Sequence, residues 1–256
     1  MDSNLKQYYD FVENGDKIYL PHFTLECVIF GYENKQLKVL LTKLVGIGWG
    51  VPSGYVKREE SLTVAVNRIL KERTALDNIF LKQFHTFGDS KHRIKPQEYE
   101  SGIDVSMTKG TWLAERTLSI GYYALMDCSE ADIKLDVFVE DYKWVDVNEI
   151  PKDLLLDHNE IIDYALMTLR NQIFHEPIGF ELLPEKFTLP EIQTLYETIL
   201  NKKFDRRNFP NKLLAQEIIV KLDEKRNIGQ HRSPFLYKFH KENYENALSE
   251  RTALVL

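Results

Sequence analysis

Cysteine is scarce in this chain of 256 residues, which holds only Cys27 and Cys128. They lie far apart in apolar stretches and form no Cys-x-x-Cys pair. This speaks against a zinc ribbon or dithiol motif and fits reduced thiols in a cytoplasmic protein. No apolar run is long enough to span a membrane as a helix. The stretch Met1-Asp2-Ser3-Asn4-Leu5-Lys6-Gln7 lacks the basic and apolar regions of a secretion signal. Internal repeats and low-complexity tracts are missing as well. Positive charge is in short supply: 33 Lys and Arg against 39 Asp and Glu leave a net charge of -6. Taken whole, that balance argues against a nucleic-acid partner. What is present is 43% hydrophobic and 12% aromatic residues, enough for a sizeable core, and a length suited to two domains.

The charge is unevenly spread. Residues 202–241 carry 11 Lys and Arg against 4 Asp and Glu, while residues 1–175 carry 20 against 27. A basic segment hidden in an acidic chain is where a footprint for phosphates is sought.

The apolar pattern orders the elements. Residues 23–32 and 37–42 are β-rich around Glu33-Asn34-Lys35-Gln36, a hairpin. Trp49 to Gly54 is a tight strand-to-loop passage. Leu62, Val66, Ile69 and Leu70 have helical spacing within 60–73. Strands are expected at 79–87, 117–126 and 142–147, with a long loop over 88–115. Residues 159–174 are an amphipathic helix, and His175-Glu176-Pro177-Ile178-Gly179 breaks the pattern. The expected division is therefore 1–175, including the linker helix 159–174, and 180–256. The second part opens on Thr188-Leu189-Pro190-Glu191, with capping-box spacing and a proline allowed in the first turn. Helix, basic link, second helix to Gln216, and the alternating stretches at 218–222 and 235–239 follow the order of a winged helix.

Within the first part, Gly54 is followed six residues on by Glu60 and eight further by Arg68. Then come Ile69, Glu72, Arg73 and Ala75. This resembles the Nudix hydrolase signature, Gly-x5-Glu-x7-Arg-Glu-x-x-Glu-Glu-x-Gly. In that family the helix glutamates bind Mg²⁺ or Mn²⁺, which polarises a diphosphate and activates water. Here Ile69 and Arg73 stand where two of the three helix glutamates belong, and Ala75 replaces the last glycine. One remaining carboxylate beside an arginine is a poor divalent-cation site. The segments Trp49–Val56, Gln83–Asp89, Arg116–Leu125 and Lys143–Pro151 extend the resemblance over residues 20–175. The implied fold is α+β: a mixed Nudix sheet between helices, followed by a winged helix-turn-helix domain. No metal, cofactor or catalysis is expected.

A recognition helix enters the major groove by its N-terminal end. Arg206, Arg207 and Asn208 sit there, residue types suited to guanine and adenine edges. Lys212 lies about a turn further on. Lys202 and Lys203 suit phosphates, and Lys225, Arg226 and Arg232 at the ribbon tip suit backbone or minor groove. Phe209, Leu213 and Leu214 read as core. Pro210 places the helix start near Asn208, leaving Arg206 and Arg207 in its approach. This order, with Phe187–Leu200, Asp205-Arg206-Arg207-Asn208-Phe209 and Ser233–Phe239, resembles the Nudix-related transcriptional regulators of the NrtR and AraR type. The resemblance implies a homodimeric, ligand-responsive regulator, expected to be a repressor, on palindromic operator DNA.

The Nudix cleft is then the expected effector pocket. The resemblance implies either an ADP-ribose-like nucleotide or a pentose such as L-arabinose. Glu26, Lys43 and Arg116 are candidate polar contacts, and Trp49, Phe87 and Tyr122 candidate walls. Ordinary strand alternation leaves it open whether Glu26 faces outward, and Trp49 and Phe87 are also suited to a core. Glu98, Glu100 and Asp104 in the long loop favour an uncharged sugar. The alternatives are an ADP-ribose-sensing regulator, a residual Nudix hydrolase with a C-terminal dimerisation module, and an adaptor without a DNA role.

Overall fold

The structure is a computed structural model and describes residues 3–45, 47–77, 79–88, 110–173, 182–215, 217–227, 233–243 and 246. Arg232, the loop acids Glu98, Glu100 and Asp104, the breaker cluster 175–179 and Gln216 lie outside the described residues. The chain divides into two compact units. One comprises Met1–Gly31 and Lys38–Ala165, the other Tyr32–Leu37 and Leu166–Leu256. The division falls inside the long helix, and the tip of the first hairpin belongs to the second unit.

In the first unit, helix α1 (Ser3–Ile18) precedes strands β1 (Tyr19–Glu33), β2 (Gln36–Leu44), β3 (Gly48–Gly50) and β4 (Ser53–Lys57). Helix α2 (Leu62–Thr74) is followed by β5 (Lys82–Phe87), β6 (Leu118–Asp127) and β7 (Val139–Asp146), and then α3 (His158–Gln172). The seven strands form one sheet of order β3-β2-β1-β6-β5, with β4 on β1 and β7 on β2. Alternation along β1 sorts its side chains. Leu25, Cys27 and Ile29 join Val66, Ile69 and Leu70 of α2 in a core that also takes in Leu40, Tyr122 and Met126. The intervening positions Thr24 and Glu26 turn the other way, as the period of a strand requires.

The β1–β2 connection is a two-residue turn, with Asn34 at φ 50° and Lys35 at φ 65°. Positive φ at both central residues matches the right-handed twist of the strands. Helix α2 begins at Leu62, two residues after the expected start at 60, because Ser61 caps it by accepting from the Val64 amide. It ends at Ala75, which adopts the left-handed conformation at φ 59° and donates its amide to the Lys71 carbonyl.

Three elements depart from expectation. Helix α1 was not anticipated. The strand expected at 79–87 begins only at Lys82, and Phe80 is largely exposed. The expected loop 88–115 contains, in its described part, a short 3-10 turn, Trp112–Ala114, with Trp112 buried.

In the second unit, α4 (Leu189–Leu200), α5 (Asn208–Ala215), β8 (Ile219–Lys225) and β9 (Phe235–Phe239) form the helix–helix–ribbon module. The Thr188 amide donates to the Glu191 carboxylate, the reciprocal half of a capping box. Phe187 bridges to Tyr237 and its ring tilts against Phe239, tying the entry of α4 to the ribbon. Tyr196 and Phe209 are fully covered and pack together between α4 and α5.

The left-handed position at Ala75 generates a test. Ala75→Gly is expected to raise stability by roughly 0.5–1 kcal/mol, since Gly adopts this conformation without the Cβ penalty. Urea unfolding checks it, with a higher midpoint at unchanged slope as the expected outcome.

Candidate effector site and nucleic-acid interface

Arg68 organises the loop–helix passage. Its Nε donates to Glu60 Oε2 at 3.0 Å, one Nη to Glu60 Oε1 and the Tyr55 carbonyl, and the other to Glu72 at 2.9 Å. Glu60 also accepts from the Lys57 amide at 2.6 Å. Burial pushes the Glu60 carboxyl up, but the Arg68 and Lys57 hydrogen bonds outweigh it and hold the group below its ordinary range. Both box glutamates are thus engaged by one guanidinium. No group of three or more metal-binding side chains occurs among the described residues.

The two departures from the signature have structural roles. Ile69 is buried, and its side chain lies directly under Gly54, where a Cβ would meet it. Covering such a side chain contributes about 1.5–3 kcal/mol relative to leaving it exposed. Arg73 pairs with Asp136, donates Nε to the Ser53 carbonyl at 3.0 Å and lies 5.0 Å over the Phe138 ring. Phe138 belongs to an aromatic group with Phe11, Tyr19, Tyr55 and Trp112. Tyr19 lies within the field of Arg68, Glu72, Arg73 and Glu60, and burial raises its hydroxyl pKa. These aromatics went unselected in the sequence because they come from α1, the start of β1, β4, the Trp112 turn and the approach to β7. No local spacing connects them.

The residues expected to contact an effector separate into three places. Glu26, whose orientation strand alternation leaves open, is buried. Its Oε1 accepts from Thr24 at 3.0 Å and Ser119 at 2.7 Å, and its Oε2 lies 3.4 Å from His158 Nε2. The Val51 amide donates to His158 Nδ1 at 3.0 Å, which leaves Nε2, on the Glu26 side, as the protonated nitrogen of a neutral ring. Phe87 is the strand partner of Ser119, and Arg116 donates to the Gly88 carbonyl beside it. Glu26, at mid-strand in β1, Phe87 at the end of β5 and Arg116 just before β6 therefore lie around Ser119 and the start of β6. Phe87 is also buried against His85 and Tyr164, a core-like setting for an expected wall. Lys43 and Trp49 are paired across β2 and β3. Lys43 is bound to Glu140 at 2.8 Å, and Lys143 sits 4.0 Å over the Trp49 ring. Tyr122 lies apart from both groups in the α2 core, with its hydroxyl on Gln83 at 3.2 Å.

In the second unit, α5 begins at Asn208 with Pro210 in its first turn, as the proline argument requires. The Asp205 carboxylate accepts from the Arg207 and Asn208 amides, both at 2.9 Å. It satisfies donors that a helix start leaves open. Arg206, Arg207, Asn208 and Lys212 are exposed, and Phe209, Pro210 and Leu213 are buried, with Leu214 half-buried. The other basic residues divide. Lys202 lies 5.8 Å over Phe204. Lys203 is bound to Glu197 at 2.8 Å. Lys225 and Lys221 lie 4.7 Å and 3.6 Å from the centroid of the Phe235 ring. Arg226 pairs with Glu191 and donates to the Lys186 carbonyl at 2.9 Å, so it braces the start of α4 instead of projecting from a ribbon tip.

Glu197 anchors the turn between α4 and α5. Burial raises its carboxyl, but Lys203, the Phe204 amide and Gln193 together bring it down to about 2. The Gln193 amide also reaches the Phe204 carbonyl at 3.1 Å.

A Nudix sheet with an intact loop–helix passage, followed by a winged helix with exposed arginines at the start of its second helix, defines a DNA-binding regulator on a Nudix scaffold. Residues 179–239 match the family described as the NrtR DNA-binding winged helix domain. The chain is 24% identical over 232 residues to a protein of Acinetobacter baylyi named as an ADPR responsive transcriptional repressor, covering 88% of this chain and 84% of that one. It is similar to the crystal structure of Shewanella oneidensis NrtR complexed with a 27mer DNA. There the TM-score is 0.65 at 25% identity, over 87% of this chain and 95% of that one. A MutT/nudix family protein from Enterococcus faecalis shares the fold at TM-score 0.60 and 20% identity, over 93% of this chain and all of the other. Residues 179–239 thus carry a winged helix of the NrtR type, and the chain as a whole resembles the Nudix-related transcriptional regulators. No helix among the described residues is long and apolar enough to cross a membrane.

The Glu197 network sets a pH dependence. A carboxyl lowered from 4.5 to about 2 contributes stability that is complete above about pH 4.5 and lost as pH falls towards 2. Glu197→Gln is therefore expected to unfold earlier than the unsubstituted chain at neutral pH, with the gap in urea midpoints narrowing below pH 4.5. A gap that widens in acid contradicts this assignment.

Proposed function

We propose that the chain is an effector-responsive repressor whose Nudix unit binds ADP-ribose without hydrolysing it and whose winged helix binds a palindromic operator as a homodimer. The observation that carries the ligand class is the likeness to the ADPR-responsive relative, with which Arg73 is consistent. Its guanidinium stands on the Nudix helix where the hydrolase signature has a carboxylate, and with part of its charge met by Asp136 it disfavours a divalent cation while still offering N–H donors to a phosphate. The adjoining half-buried rings of Phe11, Tyr19, Tyr55 and Phe138 offer apolar surface for a base. The Acinetobacter relative, similar over 88% of this chain, is named for its response to the same nucleotide. Ile69 and Arg73, standing where the signature has carboxylates, support a role without metal chemistry. A pentose has less support, because the relative that aligns with most of this chain is named for ADP-ribose.

On DNA, Arg206, Arg207, Asn208 and Lys212 are the proposed contacts of α5, with Lys202 on backbone phosphate and Lys225 on the ribbon. Counterion release then makes operator affinity fall steeply with salt. Arg206→Ala and Arg207→Ala are each expected to lower the slope of log affinity against log salt by about 1 if they meet phosphates. Fluorescence anisotropy with a labelled operator measures it, and a flat response in the unsubstituted chain contradicts DNA binding.

The effector is tested by calorimetry with ADP-ribose and L-arabinose, followed by operator release. ADP-ribose is expected to bind in the absence of Mg²⁺ and to remain intact when Mg²⁺ is added. Arg73→Ala is expected to weaken that binding about tenfold to a hundredfold, the worth of a hydrogen bond to a charged group. Binding of arabinose alone, or release of AMP from ADP-ribose, overturns the reading.

A further inference from the structure

We infer that Arg170 and the hairpin-tip residues Tyr32 and Lys35 form a grip on the carboxyl end of α4 that positions the DNA-contact segment and passes effector occupancy to it. All the groups involved lie within the second unit. Arg170 Nε donates to the Ile199 carbonyl at 2.9 Å. Thr198 Oγ1 donates to the Lys35 carbonyl at 3.2 Å, and the Tyr32 hydroxyl is hydrogen-bonded with Thr198. The last four carbonyls of a helix lack partners within it, and a cation is favoured at that end. Arg170 meets both conditions from another helix.

The grip is continuous with the DNA-contact segment. Asn201 and Lys202 donate their amides to the Thr198 and Glu197 carbonyls at 3.4 Å and 3.1 Å, closing α4 in a left-handed cap at Asn201. The Glu197 carboxylate then holds the Phe204 amide at 3.0 Å, and the Asp205 carboxylate holds the amides of Arg207 and Asn208. Hydrogen bonds therefore run almost residue by residue from Ile199 to the start of α5. The gripping residues belong to elements that continue into the first unit: β1 at Gly31, β2 at Lys38 and α3 at Ala165. A displacement of these elements is delivered to the helix end immediately before Lys202 to Asn208. Helices move as packed bodies, so a small shift at one end is carried into the attached turn.

This makes Arg170 a positioning residue, and it rests on the repressor reading above. The test compares the full chain with Arg170→Gln, Arg170→Lys and Thr198→Val. Operator affinity is measured by anisotropy with and without ADP-ribose, and amide exchange is followed at Asn201, Lys202 and Phe204. Arg170→Gln is expected to speed exchange at these amides about tenfold. It is also expected to reduce the factor by which ADP-ribose changes operator affinity at least about fivefold. Its ADP-ribose affinity without DNA and its salt slope are expected to stay unchanged. Arg170→Lys, which keeps a charged donor, restores the response, and Thr198→Val reproduces the loss. Faster exchange with the full response intact leaves Arg170 a merely structural group and overturns the inference, as does unchanged exchange. If the unsubstituted chain ignores ADP-ribose, the effector assignment fails. The grip is then judged on operator affinity alone, where Arg170→Gln must weaken binding at an unaltered salt slope and Arg170→Lys must recover it.

Discussion

The guanidinium of Arg68 joins three pieces of chain that would otherwise be free to part: the Tyr55 carbonyl on β4, Glu60 in the following loop and Glu72 one turn further along α2. Charge-assisted bonds to two carboxylates and a carbonyl, at a group only 17% exposed, hold the loop against the helix. In a metal-dependent hydrolase, a helix of this kind aims carboxylates at a cation. Here Arg68 holds both remaining carboxylates and with them the loop–helix shape, while Ile69 under Gly54 supplies an apolar part of that passage and Arg73 on Asp136 a further polar part.

Anchored carboxylates organise the second unit in the same manner. Glu191, Glu197 and Asp205 each turn inward to backbone amides or to a basic side chain, at the start of α4, the turn after it and the start of α5. They sort the basic residues into two sets. Lys203 and Arg226 are drawn into internal pairs, while Arg206, Arg207 and Lys212 remain exposed. A charge count over 202–241 cannot make this distinction, because the partner of Arg226 is Glu191, far outside that window.

Much of the fold was legible. Helical spacing in α2 and α3, the turn at Asn34-Lys35 and the break at Pro210 are local signals, and each led to an element within a few residues of its observed place. Helix α1 escaped because its buried face is carried by aromatics and Val12 within a polar stretch that includes Gly15, which packs against Trp112. The site was less legible. Glu26 could not be placed, since alternation gives the period of a strand but not which phase faces the interior. Its partners Ser119 and His158 lie 93 and more residues away. The six expected effector contacts share residue chemistry but not a location.

By itself, the amino-acid sequence determined the order of the elements, the altered Nudix box and the basic segment, because period, turn chemistry and charge are properties of neighbours along the chain. The tertiary structure alone decided what Ile69 and Arg73 do in place of carboxylates, which basic side chains stay exposed, and that the hairpin tip and the end of α3 hold the last turn of α4. Those outcomes depend on groups from distant segments meeting within hydrogen-bonding distance, and no spacing in one dimension specifies such meetings.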